Sequence, residues 1–180
     1  MKTLSILTAL LWSLSAYAQA RPMRLAQCYQ EAYRSVLASS EFKKFRENQR
    51  GVAVFDSIVF EDQSLFTVEL GKHWNYQGPK KENQLRDSLA AVDTKTWHKP
   101  FYSPLTANLT VASATEKGCV VILFSCLHKD VLLAEVSVNH EGGAALHDIL
   151  SVFNQTVRYL LFFGPDGKVR QYHTQLVSYN

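Results

Sequence analysis

The sequence predicts one α+β domain: an N-terminal amphipathic helix packed on a twisted antiparallel sheet of about five to seven strands. Three observations carry this. Apolar residues recur at spacings of three and four near the N-terminus, the C-terminal half is a series of β-branched and aromatic runs separated by turn residues, and apolar residues are close to half of the 180, with only eight glycines and five prolines. A β-sandwich fits less well, because the leading helix needs a sheet face to cover.

Residues 1–18 stand apart from the rest. Lys2, the apolar run Leu4 to Leu14 and the small-residue site Ala16-Tyr17-Ala18 read as a cleaved signal peptide. The run is too short for a membrane span, which needs about 20 apolar residues, and no later stretch approaches that length. The remaining single domain, 19–180, loses only the charge of Lys2 from a total of +3. Leu25, Cys28, Tyr29, Ala32 and Val36 form a helical stripe over 24–37, interrupted at Ser39-Ser40, and Phe42 and Phe45 continue it as a second segment. Val52 to Phe60 reads as a strand, and Ser64 to Leu70 is ambiguous between strand and helix. From Gly71 to Leu105 the pattern dissolves into a long aromatic-rich connection, with Leu85, Leu89 and Val92 suggesting a short helix inside it.

The C-terminal half reads as strands: a modest one at Leu109 to Ala114, then Cys119 to His128 and Val131 to His140 joined at Lys129-Asp130. The last pair, Tyr159 to Phe163 and Lys168 to Val177, flanks Gly164-Pro165-Asp166-Gly167, a turn whose final glycine supplies the left-handed residue. Between the hairpins, Ala145 to Phe153 has helical spacing, with a strand entering at Ser151 as the competing reading.

Charge and motifs exclude several function classes. Lys80, Lys81 and Arg86 are mixed with Glu82 and Asp87, so there is no electrostatic footprint for nucleic acid. A nucleophile elbow, a P-loop, a dinucleotide fingerprint and the common zinc and calcium motifs are all missing. His140, Glu141, His147 and Asp148 form only a loose acid and imidazole group, so neither a metal nor a cofactor is expected. Cys28, Cys119 and Cys126 leave an odd thiol after cleavage. Cys119 and Cys126 in one strand would lie on opposite faces, so any bridge joins Cys28 to one of them.

With Lys129-Asp130 as a two-residue turn, His128 pairs with Val131, Cys126 with Leu133, Phe124 with Glu135 and Ile122 with Ser137. One face then collects Cys119, Val121, Leu123, Ser125 and Leu127 with Leu132, Ala134, Val136 and Val138, as the bed for the helix. The other collects Phe124, Cys126, His128, Glu135 and Ser137, an apolar floor carrying polar groups, as a binding concavity requires. Cys126 and His128 share that face and are the candidate catalytic pair, weighed against a buried structural cysteine and a turn histidine. Trp74, Tyr76, Trp97 and Tyr102 in the connection are candidate contacts for a protein or a sugar, weighed against rings that fold back to cap the sheet.

Three stretches carry a resemblance: Lys99-Pro100-Phe101-Tyr102-Ser103, the paired strands from Cys119 to Val138, and Tyr159 to Phe163 followed by Asp166-Gly167-Lys168. With Asp56 to Asp62, they make the chain resemble small exported uncharacterised proteins of Bacteroidota. The resemblance implies an exported bacterial protein and no activity, and no site residue is transferred from it. The expectation is an exported, periplasmic or secreted binding module contacting an extracytoplasmic protein or glycan. The alternatives are a small hydrolase using Cys126 and His128, and a structural or assembly component.

Overall fold

The computed structural model describes residues 25–47, 49, 51–76, 78–143 and 155–178; the expected leader at 1–18 and the expected helix at 145–153 lie outside these residues. Helix α1 spans residues 25–38, close to the predicted stripe. Ser39 ends it and starts α2 (Ser40–Phe45): its hydroxyl donates to the Val36 carbonyl and accepts from the Phe42 amide, capping the second helix. Strand β1 (Gly51–Ile58) follows, then a 3-10 turn (Gln63–Phe66) running into α3 (Thr67–His73), which resolves the ambiguous stretch as helical.

The long connection, where Leu85, Leu89 and Val92 suggest a short helix, contains α4, a longer helix of 18 residues (Pro79–Thr96). Pro79 at its first turn suits a position whose N–H has no helical partner. Among the described residues of this helix only Leu85 and Leu89 are deeply buried, so its apolar stripe is too narrow to stand out from the polar residues around it. Then come β2 (Phe101–Tyr102) and α5 (Pro104–Ala107). The strand expected at Leu109 to Ala114 is absent; these residues form turns and bends. Strands β3 (Cys119–Phe124), β4 (Val131–Asn139), β5 (Gln155–Phe163) and β6 (Val169–Ser178) complete the chain. Gly167, at φ 75°, supplies the left-handed residue of the final turn, as its sequence requires.

The six strands form one open sheet in the order β2-β1-β3-β4-β5-β6. The sheet is mixed rather than wholly antiparallel, because β1 runs parallel to β3. Such a pairing needs a long crossover, and residues 59–118 with their helices provide it. Both faces of the central strands are covered, which explains why every residue of β3 and β4 is buried. On one face α1 and α2 set Tyr29, Ala32, Val36 and Phe42 against Ile122, Phe124, Ala134, Val136 and Tyr159. On the other, the α3–α4 pair sets Phe66, Leu70, Leu85 and Leu89 against Val131, Leu133, Leu160 and Phe162. Among the described residues, no helix is long and apolar enough to cross a membrane.

This register overturns the predicted faces of β3. Phe124 pairs with Ala134 and Ile122 with Val136, one residue away from the expected partners. Val120, Ile122 and Phe124 therefore face the helix α1, while Cys119, Val121 and Leu123 share the opposite side with Glu135 and Ser137. That side is not an open floor. Glu135 is 1 % exposed and Ser137 fully buried.

Beneath that face, Arg158 of β5 donates from Nε to Glu135 at 2.9 Å and approaches Glu61 at 3.4 Å. The register sets Glu135 directly opposite Arg158 on the neighbouring strand. Removing the guanidinium takes the ion-pair partner from two buried carboxylates. Arg158→Met is expected to cost about 3–5 kcal/mol of stability, measured by urea unfolding at neutral pH.

Candidate functional site

Between the pairs Phe124/Ala134 and His128/Val131, three residues on one strand oppose two on the other. This is a β-bulge, the origin of the register change. The Ser125 side chain holds it: the Leu133 amide donates to Ser125 Oγ at 3.0 Å, while the Ser125 amide donates to the Leu133 carbonyl. From the helix side, the buried Tyr29 hydroxyl donates to the Ser125 carbonyl at 2.8 Å. Lys129 takes φ 55° in the tight turn that follows, as the first position of a primed hairpin turn demands. Freed from the ladder, Cys126 is exposed, whereas Cys28 and Cys119 are buried. Cys119 and Cys126 are free thiols, so the bridge considered from Cys28 to either of them does not form.

Cys126 Sγ lies 3.7 Å from Nε2 of His98. The histidine partner is thus His98 and not the expected His128. His98 follows the end of α4 in the irregular segment that leads through Pro100 into β2. Its Nδ1 is 2.9 Å from the Lys99 carbonyl oxygen. A carbonyl only accepts, so Nδ1 carries the proton and Nε2 turns its lone pair to the thiol. Phe101 and Phe60 meet the imidazole edge to face, at 4.9 and 6.4 Å between ring centres, and fix its plane. Partial desolvation beside the cavity holds the Cys126 sulfur above its ordinary pKa, so it rests as a thiol.

The two residues line a cavity of about 280 Å³. Val59, Phe60, Leu127, Val131 and Leu133 make its apolar walls, and Glu61, Gln63, Thr96 and His128 add polar groups. Asp62 places Gln63 there by capping the 3-10 turn, accepting from the Ser64 amide and hydroxyl at 2.7 Å each. Gln63 is more than nine-tenths buried and its Oε1 accepts no hydrogen bond among the described residues, an arrangement that costs about 1–3 kcal/mol.

The other predicted contact residues do not converge on this cavity. Phe124 lies under α1, edge to face with Tyr29 at 5.9 Å, and Glu135 and Ser137 are within the packed core. Trp74 and Tyr76 line a separate cavity of about 290 Å³ with Leu85, Leu89, His128 and Lys129, the Lys129 ammonium sitting 5.1 Å from the Trp74 ring. Trp97, 62 % exposed, borders a third, more open groove with Asp62 and Asp93. Tyr102, 66 % exposed, stands on the edge strand β2. Nearby, His73 Nε2 meets Asp130 Oδ2 at 2.8 Å while its ring stacks on Phe162, tying α3 to the β3–β4 turn.

In the third groove, burial, then a hydrogen bond and charge from Asp62, push Asp93 up to about 7. A carboxyl whose pKa is raised on folding binds its proton more tightly in the folded state. Its contribution is therefore largest at acid pH and is lost as pH rises from about 4 toward 7. Thermal melts should show the midpoint of Asp93→Asn gaining on wild type across that interval and running parallel to it above pH 8.

His98, Gln63 and Glu61 are the site residues that sequence reasoning missed. His98 stands 28 positions before Cys126, and no spacing rule connects the two. No family model, curated protein or solved structure matches the chain.

Proposed function

We propose that this protein is an exported binding domain that takes a small, largely apolar molecule into the cavity beside Cys126. One observation carries the reading: three distant stretches, 59–63, 96–98 and 125–133, bring polar side chains to the rim and floor of one apolar cavity. Small-molecule sites are commonly built this way, with apolar walls for affinity and a few placed polar groups for orientation. The unsatisfied Gln63 carboxamide oxygen favours a ligand with an N–H or O–H group. The signal-like residues 1–18 favour export. A broad aromatic contact surface for a protein or a glycan has less support, because Trp74 and Tyr76, Trp97, and Tyr102 lie in three separate places.

The exposed Thr96, at the end of α4, is suited to a blocking variant because its side chain borders the cavity without filling the core. Titration with 1-anilinonaphthalene-8-sulfonate should give saturable one-to-one binding to wild type. Thr96→Trp should weaken it at least about tenfold, equivalent to roughly 1.4 kcal/mol, with the melting temperature retained. Tyr76→Ala, which touches only the neighbouring cavity, should leave it unchanged. Equal affinity in wild type and Thr96→Trp would overturn the assignment of the cavity.

A further inference from the structure

We infer that Cys126 and His98 are a nucleophile and its base, and that the cavity accepts a small acyl ester or thioester whose acyl group passes through Cys126 to water. The inference rests on the binding role proposed for this cavity and names the chemistry of what it holds.

Three features of the geometry support it. First, the Nε2 lone pair of His98 faces Sγ at 3.7 Å, and the Lys99 carbonyl holds the tautomer that can take a proton from sulfur. Resting pairs of this kind are often somewhat long and tighten with substrate bound. Second, the bulge lifts Cys126 out of the ladder, and among the described residues its backbone N–H makes no hydrogen bond. That N–H adjoins the sulfur and is available to an oxyanion formed there. Third, the walls by Val59, Phe60, Leu127 and Leu133 suit the hydrocarbon part of an acyl group. A metal at the pair is not favoured, since among the described residues no third histidine, cysteine or carboxylate joins it.

The steps balance without an external oxidant or reductant. His98 Nε2 takes the Sγ proton as sulfur attacks the acyl carbon, forming a C–S bond and a tetrahedral oxyanion. Collapse breaks the bond to the leaving alcohol or thiol, which departs with the proton from Nε2. Water, losing a proton to Nε2, then attacks the thioester carbon. The C–S bond breaks, the acid is released and the proton returns to Sγ.

Incubation of the purified protein with 4-nitrophenyl butyrate, followed by absorbance and by peptide mass spectrometry, tests this. Wild type should release a burst of about one equivalent of nitrophenolate and carry a butyryl group on Cys126. His98→Asn should slow acylation by at least about 100-fold, His98→Ala should regain rate with added imidazole, and Cys126→Ser should show no burst. The exposed His140→Asn should match wild type. No adduct on Cys126, an adduct forming in His98→Asn at the wild-type rate, or a larger loss in His128→Asn than in His98→Asn would overturn the inference. Sulfonate-probe binding in Cys126→Ser separates the two readings: binding that persists and remains sensitive to Thr96→Trp leaves the cavity standing when acylation fails.

Discussion

The hydrogen bond from the Tyr29 hydroxyl to the Ser125 carbonyl joins the first helix to the one place where the central hairpin leaves its ladder. Tyr29 is 1 % exposed, so neither partner has water as an easy substitute. The contact holds a strand end that has already given up regular pairing. On one side of it, Val120, Ile122 and Phe124 keep their places under α1; on the other, Cys126 turns out toward the crossover. A regular hairpin would have sent Phe124 to the face of Glu135 and left the helix without its largest aromatic contact. Core packing and site geometry therefore depend on the same irregular residue.

The second face of the sheet has a different character. Its ends are apolar, with the α3–α4 pair at one and Val59, Val121 and Leu123 at the other, yet Arg158 holds Glu135 and Glu61 within it. A buried ion cluster of this kind contributes little net stability compared with apolar packing, but it tolerates few alternative arrangements. Glu61 stands just before the capped turn that carries Gln63. The cluster thus fixes the height of that turn above the sheet, and with it one wall of the cavity.

How much could be read beforehand follows from the range of the forces involved. The α1 stripe and the Pro-Asp-Gly turn were legible because each depends on neighbours within four residues: Leu25, Tyr29, Ala32 and Val36 mark one side of a helix, and Gly167 takes a backbone angle that other residues avoid. Helix α4 was legible only as the short helix that Leu85, Leu89 and Val92 suggest, because its contact with the core is limited to Leu85 and Leu89 amid lysines, glutamate and aspartates. The register of β3 and β4 was misread by one residue, since nothing in Phe-Ser-Cys-Leu-His announces that a serine hydroxyl will replace a carbonyl in the ladder. Cys126 was recognisable as a candidate site residue, weighed against a buried structural cysteine. Its partner was not, because His98 arrives through the parallel β1–β3 crossover, and proximity created by topology leaves no trace in local spacing.

That crossover also determines when the cavity comes into being. Strands β3 to β6 follow one another as antiparallel neighbours and can pair early, whereas β1 must wait for a chain of some sixty residues to close beside β3. Cys126 and His128 belong to the early meander; Glu61, Gln63 and His98 belong to the late closure. A chain halted between the two stages would carry a bare thiol on a nearly complete sheet, with no imidazole beside it. Pairing of Cys126 with His98 is in this sense a mark of finished folding, written in the two least local segments of the molecule.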